Sequence, residues 1–226
     1  MRKVFNIGAV IFSLHVLVLL APELFIRSVE AAEQEFASVA SLSPKLEKYS
    51  ERVSNRFRII RSRHERSLRL AEAACGAGKQ SACQLNNWQA YLGDIAASSE
   101  RERLQLVNRY INSAAYVSDP RNWDRNDYWE IPLELFARGG DCEDYVIAKY
   151  LSLRQLGIPA DRMRIVVVQD LRRREDHAVL TVKSGDGLMV LDNHYRRVRT
   201  WNDLSADYVP YYSLNEDAVW MHRARI

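Results

Sequence analysis

The sequence predicts an α+β chain in which helices come first and an antiparallel sheet comes last. Three observations carry this. Apolar residues recur at three- and four-residue steps through the first half. A glycine pair, Gly139-Gly140, runs into a strongly helical segment at 141–156. Beyond it lie short Val- and Ile-rich runs separated by turn residues. The expected architecture is N-terminal helices plus one central helix packed on the sheet.

The extreme N-terminus stands apart. Arg2 and Lys3 precede an apolar run from Ile7 to Ala21, and small residues follow at Val29 and Ala31. This is the pattern of a secretory signal over residues 1–31, with cleavage after Ala31 or Ala32. The run is short for a membrane span of about 20 residues, and an uncleaved anchor is the alternative. Residues 32–226 are then expected to form a single domain, helical over 43–116 and carrying the chemistry over 117–226. The chain has 32 Lys and Arg against 29 Asp and Glu. A balance so near neutral gives no electrostatic case for a nucleic-acid partner. A local basic run, Arg52, Arg56, Arg58, Arg61, Arg63, Arg66 and Arg69, reads as a solvated helix face, with an anionic surface or acidic partner as the alternative.

The helical stretch from about Ser43 to Ala74 places Leu46, Tyr49, Val53, Phe57, Ile60, His64, Leu68 and Ala71 on one stripe. A second helix after Cys83 carries Trp88, Tyr91, Leu92 and Ile95. A third runs from about Glu100 through Leu104, Val107, Ile111 and Tyr116, and Asp119-Pro120 is expected to stop it. Cys75 and Cys83 flank Gly76-Ala77-Gly78. Export makes a disulfide between them plausible, with a stabilisation of about 2–3 kcal/mol in the chain-entropy model. Cys142 is then the odd thiol.

Residues 117–140 read as an irregular loop holding Trp123, Tyr128 and Trp129 among Asp119, Asp124 and Asp127. It is either a docking surface or an aromatic cap on the core. In the helix 141–156, Asp141 is a suitable N-cap, Val146, Ile147, Tyr150, Leu153 and Leu156 form an apolar stripe, and Gly157 and Pro159 end it. Strands are expected at Met163–Gln169, Ala178–Val182 and Leu188–Leu191, the last two joined by Ser184-Gly185-Asp186-Gly187. Tyr208, Tyr211, Tyr212 and Trp220 form a further strand or a packed tail.

Cys142 occupies the first turn of its helix, where unpaired N–H groups and the positive dipole end favour a thiolate. The hairpin register sets position 179 opposite 192 and 177 opposite 194. His177 and Asp192 therefore share a face as diagonal neighbours, about 7–8 Å apart at the backbone. The pattern reads as a Cys-His-Asp triad: Cys142 the nucleophile, His177 the base and then the acid, Asp192 the residue that orients His177. The Cys142 N–H is a candidate oxyanion donor. His194 shares the face and is a rival to His177, Asn193 points away, and His64 and His222 read as structural. Three carboxylates, Asp141, Glu143 and Asp144, crowd the thiol, with Asp124 and Asp127 upstream. Their mutual repulsion suits a hard divalent cation such as calcium, with Asp141 and Glu143 as first candidates, then Asp144 and Asp127.

These residues resemble a known family. Asn122-Trp123, Asp127-Tyr128-Trp129, Pro132 and Glu134 are followed by GGDCEDYVIAKY at 139–150, HAVLTV at 177–182 and VLDN at 190–193. Together they resemble the bacterial transglutaminase-like cysteine peptidases, in particular the LapG-like periplasmic proteases, over about residues 100–200. The resemblance implies a papain-like fold in its transglutaminase-core form, with the family triad falling on Cys142, His177 and Asp192. It also implies calcium beside the active site, and cleavage of the N-terminal region of a large surface adhesin next to paired alanines. The regulator it implies is an inner-membrane cyclic-di-GMP receptor. An amidase or transglutaminase with the same triad, and a non-catalytic binding module of the same fold, are the other readings.

Overall fold

The computed structural model describes residues 44–222. The expected signal segment and its cleavage site lie outside them. Three helices come first: α1 (Pro44–Gly76), α2 (Gln80–Ile95) and α3 (Glu100–Ile111). Val53, Phe57, Ile60 and Ala71 of α1 share one core with Leu85, Trp88, Leu92 and Ile95 of α2, and the buried His64 ring meets Trp88 edge-on. Cys75 and Cys83 form a disulfide with a Cα–Cα distance of 4.7 Å. Both cysteines lie within helices, so α2 starts before Cys83 rather than after it.

Helix α3 begins with a capping box in which Ser99 and Glu102 exchange hydrogen bonds. It ends at Ile111, earlier than expected, and Tyr116 stands outside it. Asp119-Pro120 does not stop a helix. It opens a short one, α4 (Asp119–Trp123), with proline in its first turn. A second short helix, α5 (Pro132–Arg138), follows. The expected irregular loop is thus two helical turns around an acidic connection. Of its aromatics, Trp129 is buried beneath the Arg56 guanidinium, 4.3 Å from the ring centroid. Trp123 donates to Glu130 Oε1 and packs on Tyr128. These aromatics cap the core, and Trp129 is not available for docking.

The basic run on α1 is not simply a solvated face. Arg56 pairs with Asp127, Arg61 with Glu216 at 2.6 Å, and Arg63 with Glu134. Three of its arginines therefore fasten the first helix to the rest of the domain.

Helix α6 (Cys142–Gln155) packs on a six-stranded antiparallel sheet of β1 (Met163–Asp170), β2 (Glu175–Ser184), β3 (Gly187–Leu191), β4 (Arg199–Thr200), β5 (Tyr208–Leu214) and β6 (Val219–Met221). A short helix α7 (Trp201–Leu204) joins β4 to β5. The spatial order is β4-β3-β2-β1-β5-β6, so β1, with its continuous run Ile165–Val168, is interior as that run requires. The expected amphipathic stripe on α6 is a correction: every residue from Asp144 to Leu153 is buried, including Lys149 and Ser152. The helix lies between the sheet on one side and α3 and α5 on the other, so from Asp144 to Leu153 it has no solvent face. Trp88 Nε1 of α2 donates to Ser152 Oγ at 3.1 Å, which satisfies both polar groups in that dry layer.

Candidate active site

The glycine pair before Cys142 answers a steric demand. Residues 115–117 lie directly on the loop: the Gly140 N–H donates to Ala115 O at 3.1 Å, and the Val117 N–H donates to Gly140 O at 2.9 Å. Gly139 has φ +79, and a Cβ there would overlap the Ala115 carbonyl oxygen; one at Gly140 would meet the Asp144 carboxylate. Gly157 has φ +86 with open space around it. Gly139→Ala is therefore expected to destabilise the fold by about 2–4 kcal/mol and Gly157→Ala by about 1 kcal/mol. Equal losses in urea unfolding would show that the close approach contributes nothing.

Asp141 sits at the N-cap of α6, yet its carboxylate does not cap the helix. It turns to accept the Asp119 N–H at 3.3 Å, while Asp144 reaches back to the Asp141 N–H at 2.9 Å. The other Asp144 oxygen accepts the Glu130 N–H at 2.8 Å. Asp144 is the post that ties α6 to the 119–130 segment.

On the sheet, Ser184 pairs with Gly187 and Leu180 with Leu191, the register expected from the turn. His177 Nε2 lies 2.9 Å from Asp192 Oδ1, with both side chains almost wholly buried. Asp192 also accepts the Tyr208 hydroxyl at 2.6 Å and the His194 N–H at 2.8 Å. Burial alone would raise this carboxyl; the His177 hydrogen bond and charge, with Tyr208 and His194, overcome it and hold it at about 2. From α3, Asn112 Nδ2 donates to the Asp192 and Tyr195 carbonyls at 2.9 and 3.1 Å, fixing the loop that carries Asp192. His194, the rival imidazole, stacks flat on His177 at 4.1 Å between ring centroids.

Cys142, at the start of α6, lies against the strand that carries His177. Its sulfur is in hydrogen-bonding reach of the Ala178 N–H, one residue beyond His177. With Nε2 committed to Asp192, Nδ1 is the imidazole nitrogen left for a proton from elsewhere. The expected lowering of the thiol is overturned. Burial first, then the Glu143 carboxylate 3.1 Å from Sγ, then Asp141, push the thiol up, and the Ala178 N–H opposes them only in part. The dipole of one helix end does not outweigh desolvation and two adjacent carboxylates.

Those carboxylates form two overlapping clusters. Asp119, Asp141 and Asp144, and likewise Asp119, Asp127 and Glu143, each bring one oxygen apiece within 4.8 Å of the others. Asp119 and Asp141 each keep a buried Oδ1 with no hydrogen-bond partner. Burial first, and then Glu143, push Asp141 up to about 8. Burial, and then Glu130, push Asp144 to about 10. Orphaned hard oxygen donors and crowded negative charge fit a calcium ion. Of the sequence candidates, Asp141 and Glu143 flank the thiol, Asp144 has both oxygens engaged by backbone N–H groups, and Asp127 is exposed and paired with Arg56. Asp119 joins both clusters; in the sequence it reads as a helix stop and a loop acid, not as a ligand.

Lys149 went unnoticed as well. It is fully buried with no hydrogen-bond partner on Nζ. Burial lowers it to about 7 against the opposing charge of Asp192. A lysine inside the run Val146–Leu153, two helical turns beyond Cys142, was the available signal.

The sequence profile of the bacterial transglutaminase-like cysteine proteinases (BTLCP) matches residues 73–225. The chain belongs to this family. The proteinase is also similar to LapG of Legionella pneumophila in its calcium-bound form, at 27% identity and TM-score 0.59, covering 72% of this chain and 90% of that one. The EGTA-treated form of the same LapG gives the same identity and score, with 87% of its chain covered. No curated protein matches. As a member of this family the proteinase is a cysteine peptidase, with the mixed helix and antiparallel-sheet fold expected of it.

Proposed function

We propose that this peptidase is an exported, calcium-dependent endopeptidase in which Cys142, His177 and Asp192 form the catalytic triad. The observation that supports the triad is the buried His177–Asp192 hydrogen bond of 2.9 Å, together with the Cys142 sulfur in reach of the neighbouring Ala178 N–H. His177 takes the Cys142 proton, and the thiolate adds to the substrate carbonyl carbon. The Cys142 N–H at the start of α6 holds the oxyanion. His177 then returns the proton to the leaving amine as the C–N bond breaks, leaving a thioester. Water, deprotonated by His177, hydrolyses the thioester and releases the thiol. Asp192 keeps the imidazole oriented and compensates the imidazolium.

Asp119, Asp141 and Glu143, with Asp127 and Asp144 nearby, are the residues that would hold calcium. A bound cation would offset the Glu143 and Asp141 charge that adds to burial in holding the thiol up. The calcium-bound form of the similar LapG supports this assignment. The Cys75–Cys83 disulfide supports a periplasmic location, since such bonds persist in oxidising compartments. The family resemblance supports a large surface adhesin as substrate, cut in its N-terminal region to control attachment and biofilm, and an inner-membrane cyclic-di-GMP receptor as inhibitor.

The test is iodoacetamide labelling of Cys142 in calcium, with His177→Ala alongside, followed by mass analysis of an adhesin N-terminal region incubated with the enzyme. Labelling that depends on His177 and two peptide fragments are expected. A deamidated side chain or a crosslink would move the reading to an amidase or a transglutaminase. Labelling indifferent to His177 would remove the triad.

A further inference from the structure

Residues 114–117 are tied to the nucleophile helix along one edge only. The Tyr145 hydroxyl of α6 donates to Ala114 O at 2.8 Å, and Ala115 and Val117 make the two hydrogen bonds to Gly140. Tyr116 and Gly140 thereby form an isolated parallel bridge. In an extended segment successive residues turn their N–H and C=O groups to opposite sides. Ala115 and Val117 face Gly140, so Tyr116 faces away. Its N–H and C=O have no hydrogen-bond partner among the described residues, and its side chain is 62% exposed. This open strand edge stands beside Gly140, two residues before Cys142.

We infer that the backbone of Tyr116 is the substrate-pairing edge of the peptidase: its N–H and C=O hold the acyl side of an extended substrate chain, and its ring walls the adjoining subsite. The inference rests on Cys142 being the nucleophile. The acyl side is assigned because His177, which must protonate the leaving amine, comes from β2, whereas Tyr116 is anchored on the loop that enters Cys142. The phenol also lies in the field of the site. Partial burial, then the charges of Cys142, Asp141, Glu175 and Glu143, push it up to about 12. Pairing an extended peptide onto such an edge is the β-augmentation mode, in which main-chain hydrogen bonds supply affinity and neighbouring side chains supply selectivity. The same geometry explains Gly139: without a Cβ there, residues 115–117 can lie near enough to the nucleophile to guide a substrate across it.

The test uses the folded enzyme in calcium and two alkylating reagents, acetyl-Ala-Ala chloromethyl ketone and iodoacetamide. Each labels Cys142 by displacing its halide as the C–S bond forms. The first carries a peptide and the second does not. A matched reagent N-methylated at each Ala nitrogen keeps the shape but cannot donate. The N-methylated reagent is expected to react about tenfold more slowly than its parent, the worth of one or two main-chain hydrogen bonds. Tyr116→Ala is expected to lower the rate of the parent reagent relative to iodoacetamide. Equal rates for the methylated and unmethylated reagents would overturn the inference, whatever the Tyr116 variant does. Iodoacetamide labelling of His177→Ala separates the two failures. If labelling depends on His177 but not on methylation, only the pairing edge is lost. If it does not depend on His177, the triad reading falls and the inference with it.

Discussion

Asp192→Ala is expected to lower turnover by about a thousandfold or more and to destabilise the fold by about 3–5 kcal/mol. The carboxylate takes three hydrogen bonds at once, from His177, Tyr208 and the His194 N–H. Its removal strands those donors in a dry interior and leaves the buried Lys149 without its counter-charge. Asp192→Asn keeps the volume and one acceptor, so it should cost less stability than Asp192→Ala while still impairing orientation of the imidazole. The pH dependence has a definite sign. The folded value of about 2 lies below the ordinary 3.8. The contribution of the ionised group is thus complete above about pH 4 and disappears as pH falls through 2. Urea unfolding of wild type and Asp192→Ala across pH 2–6 should show the gap between them closing at the acid end. A gap independent of pH would mean that the carboxylate charge is not what stabilises.

Chelation is expected to destabilise the protein, and more so as pH rises. Asp141 and Asp144 titrate in the folded chain at about 8 and about 10, and Glu130, raised chiefly by burial, at about 7. Folded values above the unfolded ones mean that the native state holds extra protons. Without a cation, stability therefore falls as pH climbs from about 4 to 8. A cation bound to the ionised cluster reverses this. At a hundredfold excess of calcium over its dissociation constant, the gain is about 3 kcal/mol, a rise of several degrees in melting temperature. Melting curves at pH 5 and pH 8, in chelator and in calcium, should show a small calcium shift at the first pH and a large one at the second. Asp119→Ala should shrink the large shift. Superimposable curves at pH 8 would rule the cluster out as a cation site.

The parts of the molecule legible in the sequence are those governed by local rules. The turn Ser184–Gly187 and the alternation of strand side chains set the hairpin register, and the register alone put His177 and Asp192 on one face. Family motifs ran through the same residues. What escaped depends on packing between distant elements. Helix α6 carries an apolar stripe, and nothing in its own sequence reveals that α3 and α5 cover the opposite side. Asp119 and Glu130 joined the acidic site only because Asp144 draws the 119–130 segment onto the first turn of α6. The thiol was misjudged for the same reason. The helix N-terminus and the crowding carboxylates can both be read from the sequence, but the desolvation that decides between them arises only once the chain has closed.

The enclosure of α6 from Asp144 to Leu153 also determines how the protein breathes. A helix with no solvent face has no local fluctuation that would admit water to its amides from Tyr145 to Leu153. Their deuterium uptake should proceed only through global opening. The rate at which this one helix exchanges is then a direct gauge of the free energy of the whole domain, readable without denaturant and on the segment that presents Cys142.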